Sequence, residues 1–257
     1  MNTKLVSQQS LDIIDQYLNF KVGHAKCSVP YFNNKRGGQR AALRALVGKG
    51  NPKEILDEIE IKALQDKFSL SSFTDESLKK FMVDEGLGID CSGLAYYILD
   101  AESRARDKGP IDRHLAFPNA HGPIGFIAVK LNPVKNADVL IFADEKNSRA
   151  VDLKDIEPGD FITMCGEETE RNHIITFHQV DYQNFAPTAL HYTHSIAWSE
   201  DGQYGHGVRQ GIIEIVDPTK GILEQKWTEK EKTDQENPTF MRAKISRTEI
   251  RRLKWWM

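Results

Sequence analysis

The chain reads as an α+β protein, with N-terminal helices packed on a C-terminal antiparallel β-sheet. Three observations predict this. Up to about residue 105 the apolar residues recur at helical spacing. Beyond about Gly109 they gather instead into short β-branched and aromatic runs divided by turn-like segments. Helices followed by strands, rather than strictly alternating units, is the order of an α+β fold.

The elements follow in order. Ser10 to Phe20 reads as a helix with Ser10 as N-cap and Leu11, Ile14 and Leu18 on one face. "SVPYFNNKRGG" is a loop by its Pro, Asn and Gly content. Arg40 to Val47 and Pro52 to Phe68 read as helices, the second with Pro in its first turn. Asp75 to Met82 adds a short helix, and Ile89 to Leu99 carries a cysteine at its start. "GPIGFIAVKL", "ADVLIFAD", "DFITMC", "NHIITFHQV", "LHYTHSIAW" and "GIIEIV" read as strands, the first two as an extra hairpin. "TEKEKTDQENP" reads as a polar, exposed connector, and "SRTEIRRLKWWM" as a short basic helix that docks its tryptophans on the body.

Composition bounds the rest. The 257 residues suit a single domain, 1–257, with a helical part at about 1–88, a core at about 89–216 and a C-terminal extension at about 217–257. Hydrophobic residues at 40% and charged residues at 28% exclude a disordered or fibrous chain. A net charge of -3 asks for no nucleic acid, and without an apolar run of membrane length no membrane insertion is expected. The N-terminus lacks the apolar region of a secretory signal, so a cytoplasmic location is expected, with export by another route left open. Cys27, Cys91 and Cys165 are too few and too scattered for a disulfide framework or a four-ligand zinc site.

The stretch "EGLGIDCSGLAYYIL" places a thiol where helix-terminal N–H groups are unpaired. With Asp90 as N-cap, Cys91 is the first helical residue, and the partial positive charge there favours a thiolate nucleophile. The same N–H groups suit an oxyanion, and small Ser92 and Gly93 allow close approach. A base is the second requirement. His173 and His178 are five apart on one strand and face opposite ways, His173 with Ile175 and Phe177, His178 with Ile174, Thr176 and Val180. His191 and His194 also oppose each other, His194 lying with Tyr192, Ile196 and Trp198. The core-side pair is therefore His173 and His194. "HYTH" splits its histidines between two faces and so makes a poor metal pair. "GQYGHGVRQG" reads as a hairpin turn with a solvated His206.

Taken in order, "DCSGLAYYIL", "LKDIEPGDFITM", "NHIITFHQV" and "LHYTHSIAWSEDGQYGHGV" resemble the NlpC family of papain-like cysteine peptidases, which cleave peptides of bacterial cell walls. The resemblance covers roughly residues 31–216 and implies a papain-like fold. It implies Cys91 as nucleophile and His173 as general base, with either His191 or His194 in register as the orienting residue, of which the strand face favours His194, and no metal or organic cofactor. A family tyrosine before the active-site helix matches Tyr31. Tyr31, Asp90 and Ser92 are the expected substrate-binding residues, and a peptide or peptidoglycan fragment is the expected substrate. The chain departs from the family in the long segments between Tyr31 and Cys91 and between Cys91 and Pro158, which imply inserted elements. The same residues would also serve an acyltransferase or deamidase, and a catalytically silent peptide-binding domain is the non-enzyme alternative. Oligomeric state is not legible in the sequence.

Overall fold

A computed structural model describes residues 2–33, 43–118, 120, 122–166 and 172–256. In chain order its first half holds β1 (Asn2–Leu5), α1 (Gln8–Leu18), β2 (Phe20–Val22), β3 (Ala25–Cys27), α2 (Pro52–Asp66), α3 (Asp75–Asp84), α4 (Cys91–Ala105), α5 (Gly122–Leu131), α6 (Pro133–Asn136) and α7 (Val139–Ala143). Then follow β4 (Ser148–Ala150), β5 (Phe161–Cys165), β6 (His173–Gln183), β7 (Ala186–Ile196), β8 (Gly207–Glu214), β9 (Lys226–Glu229), β10 (Lys232–Thr233), α8 (Pro238–Lys244) and β11 (Arg247–Leu253). The fold is α+β, as expected, and every strand pair among the described residues is antiparallel.

Local chemistry sets the helix starts. Asn51 and Glu54 form a reciprocal capping box around Pro52 at the start of α2, and Thr74 with Ser77 does the same for α3. The cap of α1 is Ser7, not Ser10. Ser10 is buried and donates to the Ile98 carbonyl at 3.1 Å and to Glu102 at 3.0 Å, which fastens α1 to α4.

The main sheet runs β10-β9-β8-β7-β6-β5-β11-β4, and β1 also pairs with β6. β5 takes the first half of that edge of β6 (residues 173–176) and β1 the second (residues 179–182). Side chains alternate across the sheet, so two cores form. On one face Ile174, Phe161 and Leu253 pack under α4, α6 and α7. On the other, Ile175, Phe177, Tyr192 and Trp227 pack under Phe240 and Ala243 of α8. A third cluster joins α1, α2 and α3 to Leu94 and Ile98 of α4.

Several expectations are overturned. "GPIGFIAVKL" and "ADVLIFAD" form helices α5 and α7 rather than a hairpin, because short continuous apolar runs carry no period that separates strand from buried helix. The C-terminal segment forms β11 between β5 and β4, not a helix; Ile250 and Leu253, three apart, imitate a helical face. Its tryptophan does dock: Trp256 is buried, and Gly159, at φ +93°, leaves room for a ring atom 2.7 Å from where a Cβ would stand. The charged connector contributes β9 and β10, joined by Lys230 and Glu231 at φ 48° and 64°. Two consecutive left-handed residues are the backbone of a type I′ hairpin, here built without the usual Asn or Gly. Arg44–Val47 is a 3₁₀ turn, and residues 40–42 of the expected helix lie outside the described residues, as do residues 34–38 of the expected loop.

Candidate active site

The start of α4 is held from inside. Asp90 caps it, its carboxylate accepting the Gly93 N–H at 2.6 Å. Lys49 lies 2.9 Å from the same oxygen, and both side chains are 2% exposed. Its ammonium also donates to Ser92 Oγ at 2.6 Å and to the Ala137 carbonyl at 3.1 Å. Asp90 and Ser92, expected to meet substrate, turn inward to this cation and fix the first turn of the helix. Removing Lys49 alone would leave a buried carboxylate unpaired, a loss of about 3–5 kcal/mol.

Cys91 is buried at 6% exposure and belongs to the core cluster that joins α4 to Val134 of α6 and Val139 of α7. The backbone N–H of Ile174 lies beside its sulfur, one residue past His173, so the thiol meets β6 where that strand begins. Burial dominates the ionisation: with Asp90 it pushes the thiol up to about 11, against Lys49, the Ile174 N–H and Arg242. The easy ionisation expected from the helix start is therefore corrected, because the same packing that brings the helix to the sheet removes water from the sulfur.

His173 is 1% exposed, and burial, then His194 and Arg242, hold its imidazole well below the ordinary range. Thiol and imidazole are thus both neutral at rest. His173 Nε2 sits 2.8 Å from His194 Nδ1, with the rings at 70°. His194 Nε2 in turn lies 3.0 Å from Glu229 Oε2, both side chains wholly buried. The approach is a close polar contact that does not meet the geometry of a hydrogen bond. The Tyr192 hydroxyl donates to the same Glu229 oxygen at 2.8 Å, and Arg209 stands 3.8 Å from the other.

Tyr31 also reaches the site. Its backbone bridges to Ile89, two residues before the thiol, and its phenol is pushed up to about 12 by burial and then by Cys91. It lines a cavity of about 350 Å³ with Pro30, Phe32, Val83, Leu87 and His206. His206, expected in solvent, is half-buried and its Nδ1 accepts the Tyr31 N–H at 3.1 Å.

His178 and His191 stay apart from this group, facing Thr193 at 3.0 Å and Asp181 at 2.9 Å. His178 is the extra residue of a β-bulge, which turns Val180 to the Phe177 side of the sheet, not to the His178 side as strict alternation implied.

Three residues escaped the sequence reading: Lys49, Glu229 and Arg242. Arg242, on α8, makes no hydrogen bond or ion pair among the described residues, yet its charge acts on Tyr31, Cys91 and His173 together. Two of the three carried a faint signal. Lys49 sits in an otherwise uncharged "LVGKGNP", and Glu229 follows Trp227 by the strand period of two. Among the described residues no cluster of His, Cys, Asp and Glu could hold a metal ion, and no helix is long and apolar enough to cross a membrane. Compared with protein-family models and with curated proteins, the chain matches none.

Proposed function

We infer that this chain is a papain-like thiol hydrolase of the NlpC type, which cleaves an amide bond in a cell-wall-type peptide. The observation that carries the reading is the 2.8 Å contact from His173 Nε2 to His194 Nδ1, beside a capped helix that begins with a thiol. With Nε2 committed to His194, Nδ1 is the His173 nitrogen left to take the thiol proton. Because both groups rest neutral, the proton leaves sulfur as sulfur attacks the carbonyl carbon. The backbone N–H groups of Cys91 and Ser92, at the first turn where no carbonyl of the helix can pair with them, would stabilise the oxyanion. The imidazolium then returns its proton to the leaving amine, and water, activated by the same imidazole, hydrolyses the thioester. Tyr31 would hold the peptide beside its cavity, and Arg242 would steady negative charge as it develops.

The place of Cys91 in one apolar cluster with residues of the inserted segment, Val134, Ala137 and Val139 among them, supports a second reading, in which the acyl group passes to an amine rather than to water. One experiment addresses both. Purified wall peptides and a panel of acyl esters are incubated with the wild type and with Cys91→Ala, and the products are read by mass spectrometry. Free acid formed by the wild type alone supports hydrolysis, and a new amide formed when an amine is added supports transfer. Equal turnover by Cys91→Ala would remove both readings.

A further inference from the structure

We propose that Glu229 is a positioning residue which, through His194, fixes the nitrogen of His173 that carries a proton, and so makes His173 a base towards Cys91. The inference rests on the thiol-hydrolase reading for its purpose, though not for its geometry.

The geometry begins with a glycine. β8 lies between β7 and β9, and Gly211 on β8 is the partner of Tyr192 on β7. A Cβ at Gly211 would stand 2.3 Å from the Tyr192 hydroxyl oxygen. The missing side chain lets the Tyr192 ring cross β8 and deliver its O–H to Glu229. A carboxylate two strands away is thereby joined to the histidine pair. Glu229 is 1% exposed. Burial alone would raise its carboxyl, but His194, the Tyr192 hydroxyl and Arg209 outweigh burial and hold it below its usual value.

An ionised carboxylate only accepts. A lone pair on His194 Nε2 would repel it at 3.0 Å, so that nitrogen carries its hydrogen. In the neutral ring His194 Nδ1 is then the lone pair. It faces His173 Nε2 at 2.8 Å, so the hydrogen between the rings belongs to His173 Nε2. His173 Nδ1 is left as a lone pair, the form that can receive a proton from sulfur. Without Glu229 the opposite arrangement, with protons on both Nδ1 atoms, is equally satisfied between the rings and gives a His173 that cannot act as a base. Wrong-tautomer imidazole is a severe catalytic defect, about 10⁴-fold where the orienting group contacts the base directly.

Glu229 also favours a proton added to the pair, which blocks the base at low pH. The charged and titratable groups facing the histidine pair are Tyr192 from β7, Arg209 from β8, Glu229 from β9 and Arg242 from α8. Of these, Glu229 alone among its neighbours adds a negative charge at the His194 end.

The test has two arms. Long-range proton–nitrogen NMR on the folded wild type labelled with ¹⁵N-histidine should show both His173 and His194 protonated at Nε2 and bare at Nδ1. Glu229→Gln should lower kcat about 10²-fold with little change in KM, one step further from the base than the direct case. The acid limb of its rate profile should move to lower pH, because the protonated pair loses its carboxylate. A wild-type His173 protonated at Nδ1 overturns the proposal, as does a folded Glu229→Gln whose acid limb does not move. Should Glu229→Gln not fold, the wild-type spectrum decides. The expected tautomers in a protein that turns over no acyl substrate would end the hydrolase reading and leave the role of Glu229 standing.

Discussion

The strands β6 and β7 carry two histidine pairs, and only one of them is joined ring to ring. His173 and His194 share a contact at 2.8 Å and end on a buried carboxylate. His178 and His191 have ring centroids 6.2 Å apart but do not bond to each other. One binds Thr193, the other Asp181. His191 keeps 28% of its side chain in solvent. Nearness of two imidazoles is common to both pairs. What separates them is a defined chain of acceptors behind the first ring, from His194 to Glu229.

The largest effect is expected at His173, the proposed base. His173→Ala should cost about 10²–10⁴ in kcat, the size of a lost general base. His178→Ala should stay near the wild type in turnover of the same substrate. A dead His178→Ala beside an active His173→Ala would reverse the comparison and place the relay on the other face of the sheet.

One step further from the thiol, the expected effect is smaller. The Gln side-chain oxygen at position 194 can accept the His173 Nε2–H, so His194→Gln should lose about tenfold, whereas His194→Ala, with no acceptor, should lose about 10³-fold. His191→Ala should turn over at nearly the wild-type rate, since its ring serves Asp181. Circular dichroism on each variant separates lost chemistry from lost fold. Equal loss for Gln and Ala would mean that His194 transfers a proton rather than orienting one.

The pair itself was legible because side chains alternate along a strand wherever no bulge intervenes, and two consecutive strands each placed one histidine with their apolar residues. The capped helix was legible for a similar reason: Asp90 before Cys91 is a local pattern that needs no tertiary knowledge. Glu229 was hidden by its neighbours, since in "TEKEKT" nothing local distinguishes a buried carboxylate from a solvated one. Its burial follows from a non-glycine I′ turn and from Gly211 on the neighbouring strand, both tertiary facts. Lys49 was hidden by the opposite prior, because lysine is almost never fully buried unless paired, and its partner lies 41 positions on (90 − 49). Helices α5 and α7 were misread because apolar runs such as "FIAV" and "VLIFA" are shared by strands and buried helices alike.

The smallest expected effect concerns stability and sharpens the comparison from the other side. Burial, then His191, hold the His178 imidazole down at about 4, against an ordinary value of 6.5. A histidine kept neutral in the fold binds no proton at pH 5, while the unfolded chain does. Stability that this residue leaves intact above pH 6.5 is therefore lost progressively as pH falls from 6.5 towards 4. Between pH 7 and pH 5 the loss is about 2 kcal/mol. His173, held down more strongly, adds a loss of the same sign in the same window. Glu229 and Asp181 are carboxylates shifted downward, so their contributions fall away only below their ordinary values near pH 4 and do not confuse the comparison. His178→Gln keeps a group able to bond Thr193 and has no charge to gain. Urea unfolding at pH 7 and pH 5 should show the variant losing about 2 kcal/mol less than the wild type over that interval, with unchanged turnover at pH 7. An equal loss in both proteins would show that His178 takes up its proton while folded, and that the outer pair is more open to water than its packing in the sheet implies.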